Sequence, residues 1–199
     1  MNFLAFVTQF GDLVVLLPLA AALTLWLLHL RSQKLVIYWC IALMACLGVT
    51  ALLKLYFLSC ALGDDELMRS PSGHTSLSIL VYGAIGVILA THASGWWRLV
   101  ALAPVLALVT AIAASRIALG AHNLFETGIG LLVGGSSLAL FIAGYRRHQI
   151  PRFRWPYALL LLPLLALALT RQGFATEDYL RSLGHYLRES GSCFRALSR

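Results

Sequence analysis

The amino-acid sequence predicts an all-α protein, a polytopic membrane bundle of about six transmembrane helices. Hydrophobic residues occupy 60% of the 199 positions, charged residues occupy only 12%, and the mean hydropathy is +0.83. A soluble domain carries about 45–50% apolar and about 25% charged residues. The composition therefore indicates a chain whose main solvent is lipid.

Six apolar runs approach the roughly 20 residues that a membrane-spanning helix needs. They cover about 12–29, 35–61, 74–92, 97–115, 123–144 and 155–170. The last run is the shortest and contains Pro156 and Pro163, so two alternatives stay open: it spans the membrane, or it does not. We expect residues 1–172 to form a single transmembrane domain and residues 173–199 to form a tail.

The tail has the pattern of an amphipathic helix over about 177–189. Leu180, Leu183 and Leu187 share one face of that helix. Such a helix rests among lipid headgroups or, alternatively, covers a site as a lid.

The basic residues of the loops lie mainly in alternate loops. The formal net charge is +7, but there is no basic stripe with interleaved aromatic residues, so we expect no nucleic-acid partner. The first, third and fifth loops hold seven of the 15 Lys and Arg residues and the second and fourth hold three, which predicts that the odd-numbered loops are cytoplasmic. We therefore expect a multi-pass protein of a cell membrane, of the bacterial inner-membrane type. Its second and fourth loops should face the periplasm or exterior.

The fifth run contains a G-x-x-x-G pair, Gly130 and Gly134. This pattern favours close helix packing, either within the chain or between two copies, so the oligomeric state stays open.

The second loop ends in a stretch typical of a helix start, Ser70-Pro71-Ser72-Gly73-His74. We expect Ser70 to be the N-cap and Pro71 to lie in the first turn. The backbone N–H groups of Ser72, Gly73 and His74 would then point out of the helix, which suits a bound phosphate.

The fourth loop carries Arg116, His122 and Glu126. Arg116 offers a planar fork for phosphate oxygens. If a helix has begun by residue 122, His122 and Glu126 are four positions apart and face the same way. The carboxylate would then fix one ring nitrogen of His122 and leave the other as a nucleophile.

Together these motifs resemble the type 2 phosphatidic acid phosphatases, membrane relatives of the vanadium haloperoxidases. That family carries K-x6-R-P, P-S-G-H and S-R-x5-H-x3-D. The second motif is intact at 71–74, and the third matches from Ser115 to Glu126, with Glu in place of Asp. The first is degraded, because Lys54 is followed six residues later by Ala61-Leu62 rather than Arg-Pro.

The resemblance implies a metal-independent and cofactor-free phosphatase that acts on a lipid phosphate. It implies that His122 attacks phosphorus, that Glu126 orients His122, and that His74 protonates the leaving oxygen and then activates water. The phosphate-binding residues it implies are Lys54, Ser72, Gly73 and Arg116, with Arg69 as a substitute for the missing arginine of the first motif.

The sequence leaves the substrate and the final reaction open. Phosphatidate, phosphatidylglycerophosphate, polyprenyl pyrophosphate and lipid A phosphates all fit, and membrane lipids are the expected surroundings. Two alternatives remain: a lipid phosphotransferase that uses the same phosphohistidine, and a non-catalytic lipid-binding or transport protein on the same fold.

Overall fold

The computed structural model describes residues 3–30, 32–59, 70–147 and the single position 182. Across these ranges the regular structure is helical. The helices are α1 (Phe3–Gln9), α2 (Leu13–His29), α3 (Gln33–Ser59), α4 (Gly73–His92), α5 (Trp97–Ala118) and α6 (Leu124–Arg147).

Five helical segments are long and apolar enough to cross a membrane: Phe3–His29, Gln33–Phe57, Gly73–His92, Trp97–Ala118 and Leu124–Arg147. The predicted all-α fold is confirmed, and the first five predicted runs each match one of these segments to within a few residues, except that the first segment extends back to Phe3. The sixth run, 155–170, and the tail, 173–199, lie outside the described ranges except for position 182. Helix α1 was not predicted, because its seven residues are too few to form a spanning run.

The outer faces of these helices are apolar. Large exposed hydrophobic side chains occur along four of the five spans, all except Gly73–His92; examples are Leu25, Ile41, Met44, Leu106 and Leu132. A soluble monomer rarely exposes a contiguous apolar surface of this extent. The chain is therefore a multi-pass membrane protein whose exposed faces contact lipid.

Helix α4 is the most buried span and packs against α3, α5 and α6. Its contact with α6 depends on the predicted glycine pair. A Cβ at Gly130 would lie 2.7 Å from the Ser72 carbonyl oxygen, and a Cβ at Gly134 would collide with the Ser76 carbonyl oxygen. The G-x-x-x-G pair thus serves packing within the chain, where only glycine lets the two backbones approach this closely.

One large side chain in the interior of the bundle, Trp39, also satisfies its polar atom. Trp39 is fully buried, stacks edge-to-face on Phe141 and donates its indole N–H to Thr24 Oγ1 at 2.9 Å. A buried tryptophan usually finds such a partner.

Alternation of the spans brings several helix ends to the same end of the bundle. Four parts of the chain meet there: the turn at residues 10–12 between α1 and α2, the end of α3, the start of α4, and the 119–123 connection between α5 and α6. We call this the site end.

Candidate active site

The connection between α5 and α6 fixes the distance from Arg116 to His122. Helix α5 ends at Ala118, and Gly120 follows in the left-handed conformation with φ +66°. The N–H of Gly120 donates to the Ile117 carbonyl at 3.0 Å, and the N–H of Ala121 donates to the Arg116 carbonyl at 3.0 Å. This pair of bonds is a Schellman motif, the common glycine-dependent end of a helix.

The same carbonyl of Arg116 also accepts the backbone N–H of His122 at 3.1 Å. The chain therefore folds back over the end of α5, and His122 is held against the last turn, which carries the Arg116 guanidinium. The five residues between Arg116 and His122 are the number that this helix cap requires.

Helix α6 begins at Leu124, two residues later than the helical spacing of His122 and Glu126 required. The condition that a helix has begun by residue 122 is therefore not met, but the side-chain pair still forms. Asn123 caps the helix: its Oδ1 accepts the Glu126 N–H at 2.8 Å, and Glu126 Oε2 accepts the Asn123 N–H at 3.2 Å. This reciprocal capping box turns the carboxylate back toward the residue before the cap.

His122 is that residue. Its Nδ1 lies 2.8 Å from Glu126 Oε2, and both side chains are almost fully buried, with 3% and 4% of their surfaces exposed. Because the carboxylate accepts a hydrogen bond, Nδ1 carries the proton and Nε2 keeps its lone pair. Among the residues that the structure describes, no hydrogen-bond partner contacts the buried Nε2 atom.

Burial lowers the pKa of His122 below its ordinary value of 6.5. The carboxylate of Glu126 opposes this shift, while the positive charges of Arg116 and Lys54 add to it. The ring is therefore neutral at pH 7, the form in which an imidazole nitrogen is a nucleophile.

Glu126 also connects the two motif-bearing loops. Its Oε1 accepts the Ser70 N–H at 2.9 Å, and its backbone carbonyl accepts the Ser72 N–H at 3.2 Å. One residue thus orients His122, caps α6 and holds the approach to α4 in place.

These bonds correct the predicted start of α4. The N-cap is Ser72, not Ser70, and Pro71 lies before the helix rather than in its first turn. The Ser72 side chain accepts the Thr75 N–H at 3.4 Å. The Ser72 N–H was expected to be free for a ligand, but it donates to Glu126. The N–H groups of Gly73 and His74, the first two helical residues, remain directed out of the helix start.

Lys54 lies beside this helix start. It is in the next-to-last turn of α3, is only 8% exposed, and its Nζ lies 3.8 Å from the position that a Cβ on Gly73 would occupy. Absence of a side chain at Gly73 therefore leaves the ammonium group close to the backbone. Arg69 and residues 61–62, which stand at the degraded part of the first motif, lie outside the described ranges.

Three residues of the site end were missed by sequence reasoning. Asp12 Oδ1 lies 2.6 Å from His74 Nε2, Thr8 Oγ1 accepts a hydrogen bond from Arg116 Nη1 at 3.4 Å, and Asn123 forms the capping box. The signal for Asp12 was available, because a carboxylate at the edge of an apolar run is uncommon and worth examining. The partner of Asp12 could not be predicted, because His74 is 62 positions away.

The arrangement suits an anion. Lys54, Arg116 and the first turn of α4 converge around His122, and helix starts bind phosphate through their N–H groups and dipole. Within 3–59 and 70–147, apart from the undescribed position 31, no three His, Cys, Asp or Glu side chains converge as a group that would hold a metal ion.

Fold and site together define a multi-pass membrane protein with two histidines, each bonded to a carboxylate, and two cations at one end of its helical bundle. Residues 54–150 match the PAP2 superfamily, whose members are typically phosphatases, and the chain belongs to that superfamily. It is also 31% identical over 147 residues to a Klebsiella pneumoniae protein described as an "Uncharacterized 22.5 kDa protein in cps region". That match covers 73% of this chain and 70% of the relative. No solved structure matches the chain.

Proposed function

We propose that this protein is a lipid phosphate phosphatase that works through a phosphohistidine on His122. The observation that carries the proposal is the state of the His122 ring. Its Nδ1 is held by Glu126, its pKa is lowered, and its buried Nε2 atom lacks a hydrogen-bond partner among the described residues. An oriented neutral imidazole with one available nitrogen is what nucleophilic attack on phosphorus requires.

In the first step, the lone pair of His122 Nε2 attacks phosphorus, and the bond from phosphorus to the lipid oxygen breaks. His74, protonated, donates a proton to that oxygen, and the dephosphorylated lipid leaves. Lys54, Arg116 and the N–H groups at the start of α4 neutralise the charge on the equatorial phosphoryl oxygens, which is usually the largest contribution to such catalysis.

In the second step, water attacks the phosphohistidine. His74, now neutral, accepts the proton of the water, and the nitrogen–phosphorus bond breaks with its electron pair returning to His122. Inorganic phosphate leaves, and both histidines regain their starting forms. Proton transfers of this kind typically contribute a factor of about 10²–10⁴ to the rate.

The location of the site supports a lipid substrate. The helices around it expose apolar faces, so a substrate whose chains lie in the bilayer presents its headgroup at the level of the helix ends. A phosphomonoester or a pyrophosphate on a lipid has the charge that Lys54 and Arg116 suit.

The test is phosphate release by the full-length protein, purified in detergent, from a panel of lipid phosphates that includes phosphatidate, phosphatidylglycerophosphate and a polyprenyl pyrophosphate. Release should depend on His122 and His74 and should be inhibited by vanadate, which mimics the trigonal-bipyramidal phosphoryl group. His92→Ala is the matched control, because His92 is on the same helix as His74 but in its last turn, at the other end of the bundle.

Activity that survives His122→Ala would refute the mechanism. Phosphate release that requires an added hydroxyl acceptor lipid would instead identify a phosphotransferase with the same intermediate.

We also propose that the site end faces the periplasm or exterior. The opposite end carries Arg146 and Arg147 in the last turn of α6 and Arg98 near the start of α5, and cytoplasmic ends are enriched in such residues. Leu119→Cys at the site end and Ser94→Cys at the other end are a matched pair, each in a background without the four native cysteines. An impermeant thiol reagent on intact cells should label only the first; labelling of only the second would invert the topology.

A further inference from the structure

Asp12 stands where a helix cap should be, yet it does not cap. It occupies the N-cap position of α2 in an extended conformation, with φ −69° and ψ 145°. Aspartate there normally accepts an N–H of the first turn, and that bond stabilises the helix. Here no such side-chain bond exists, and Oδ1 lies 2.6 Å from His74 Nε2 instead.

The turn that carries Asp12 is built against His74. A Cβ at Gly11 would lie 3.2 Å from His74 Cβ and 3.2 Å from its Cδ2, so glycine lets the turn contact the imidazole directly. Tyr82, on the same helix as His74, donates its hydroxyl to the Phe10 carbonyl at 2.8 Å. Two hydrogen bonds thus hold the turn against α4, one between Asp12 and His74 and one between Phe10 and Tyr82.

The bond to Asp12 leaves His74 one nitrogen for chemistry. With Nε2–H donated to the carboxylate, only Nδ1 remains, and no other residue in the described ranges contacts Nδ1 through a hydrogen bond. The side chain of His74 is 16% exposed, so part of it stays accessible while Asp12 holds the ring.

We propose that Asp12 is a positioning residue that holds His74 through Nε2, so that Nδ1 is the atom that protonates the leaving lipid oxygen. This inference rests on the proposed function. Asp12 and its turn lie outside residues 54–150, the range that matches the superfamily. The N-terminal segment would therefore contribute a part of the site beyond the three motifs, with the carboxylate acting on the leaving group through His74.

The experiment compares two substrates with the same alkyl chain, an alkyl phosphate and a chain-bearing 4-nitrophenyl phosphate. The alkyl oxygen needs a proton to leave, whereas nitrophenolate does not. Asp12→Asn should lower single-turnover cleavage of the alkyl phosphate by about a hundredfold, near the lower end of acid–base contributions. It should leave the pre-steady-state burst of nitrophenolate nearly unchanged.

His74→Ala should show the same selectivity, and the double variant should be no slower than His74→Ala, since the two residues act as a unit. Asp12→Glu, which keeps the carboxylate, should recover part of the alkyl phosphate activity. By contrast, Glu126→Gln should slow both substrates, because Glu126 acts on the nucleophile.

An equal loss on both substrates, or no loss on either, would overturn the proposal. So would a double variant in which the two losses multiply. If wild-type protein cleaves neither substrate, the proposed function fails and a second readout decides the role of Asp12. Ring ¹⁵N spectra of the six histidines should show the His74 signal, identified by its loss in His74→Ala, as Nε2-protonated in wild type and altered in Asp12→Asn. An unchanged His74 signal would refute the positioning role.

Discussion

The substitution Glu126→Gln separates orientation of His122 from simple packing, because glutamine has the same shape as glutamate but only one acceptor oxygen. In the wild-type protein, one oxygen of the Glu126 carboxylate accepts the Ser70 N–H at 2.9 Å. The other oxygen accepts hydrogen bonds from His122 Nδ1 at 2.8 Å and from the Asn123 N–H at 3.2 Å. An amide cannot accept on both sides.

Either placement of the amide breaks part of this network. With its NH₂ toward His122, glutamine donates to Nδ1, which moves the imidazole proton to Nε2 and removes the nucleophilic lone pair. With its NH₂ toward Ser70, the amide opposes a backbone N–H, and the loop before α4 loses its attachment.

The magnitude follows from the bond to His122. A hydrogen bond to a charged group is worth about 1.5–3 kcal/mol, and this converts to a factor of about 10–150 in the population of the reactive tautomer. We therefore expect kcat/KM for lipid phosphate to fall by about 10–150-fold in Glu126→Gln. Glu126→Asp should lose less, because a carboxylate at this position can still accept from Nδ1.

The assay is phosphate release in detergent, with thermal unfolding and size-exclusion profiles measured on the same samples. A Gln variant as active as wild type would refute the role of Glu126 in orienting His122. So would a Gln variant no worse than the Asp variant when both are equally folded.

Three further predictions address packing, the α5–α6 turn and pH. Gly134→Ala should destabilise the protein by about 1–3 kcal/mol, because extra atoms enter a tight contact. Gly135→Ala, whose added methyl group meets open space, should not destabilise it, and thermal unfolding compares the two variants. Gly120→Ala and Gly95→Ala both place alanine at positive φ and should cost about 1–2 kcal/mol each, but only the first should also slow phosphate release, because only that turn carries His122. Since the pKa of His122 is lowered from 6.5, its ring protonates only at lower pH, and single-turnover phosphoryl transfer should persist below pH 6.5. Loss of transfer at or above pH 6.5 would contradict the neutral state assigned to the His122 ring.

The sequence predicted the parts of the site that local geometry encodes. The spacing between Arg116 and His122 is set by a Schellman cap. The spacing between His122 and Glu126 is set by a capping box that begins one residue after His122. Both spacings could therefore be recognised as a motif before the helix ends were known. Hydropathy likewise predicted the five spans that the structure describes, out of about six predicted, because the length of each run is set by the thickness of the bilayer.

The rest depended on contacts between distant parts of the chain. Ser70 was mistaken for the N-cap because nothing local reveals that its N–H donates to Glu126, 56 positions away. The Asp12–His74 pair crosses 62 positions, and an aspartate at a helix start has an adequate local explanation as a cap. Close packing of Gly130 was predicted, but its partner, the Ser72 carbonyl, follows only from the arrangement of the helices.

The central claim, that His122 Nε2 accepts the phosphoryl group, is tested most directly by trapping the intermediate. Purified protein is mixed with ³²P-labelled lipid phosphate, quenched within one turnover and digested, and the labelled peptide is identified. We predict an acid-labile, alkali-stable label on the peptide that contains His122, present in wild type and His92→Ala and absent from His122→Ala. Turnover without any labelled protein, or a label on another residue, would contradict the mechanism.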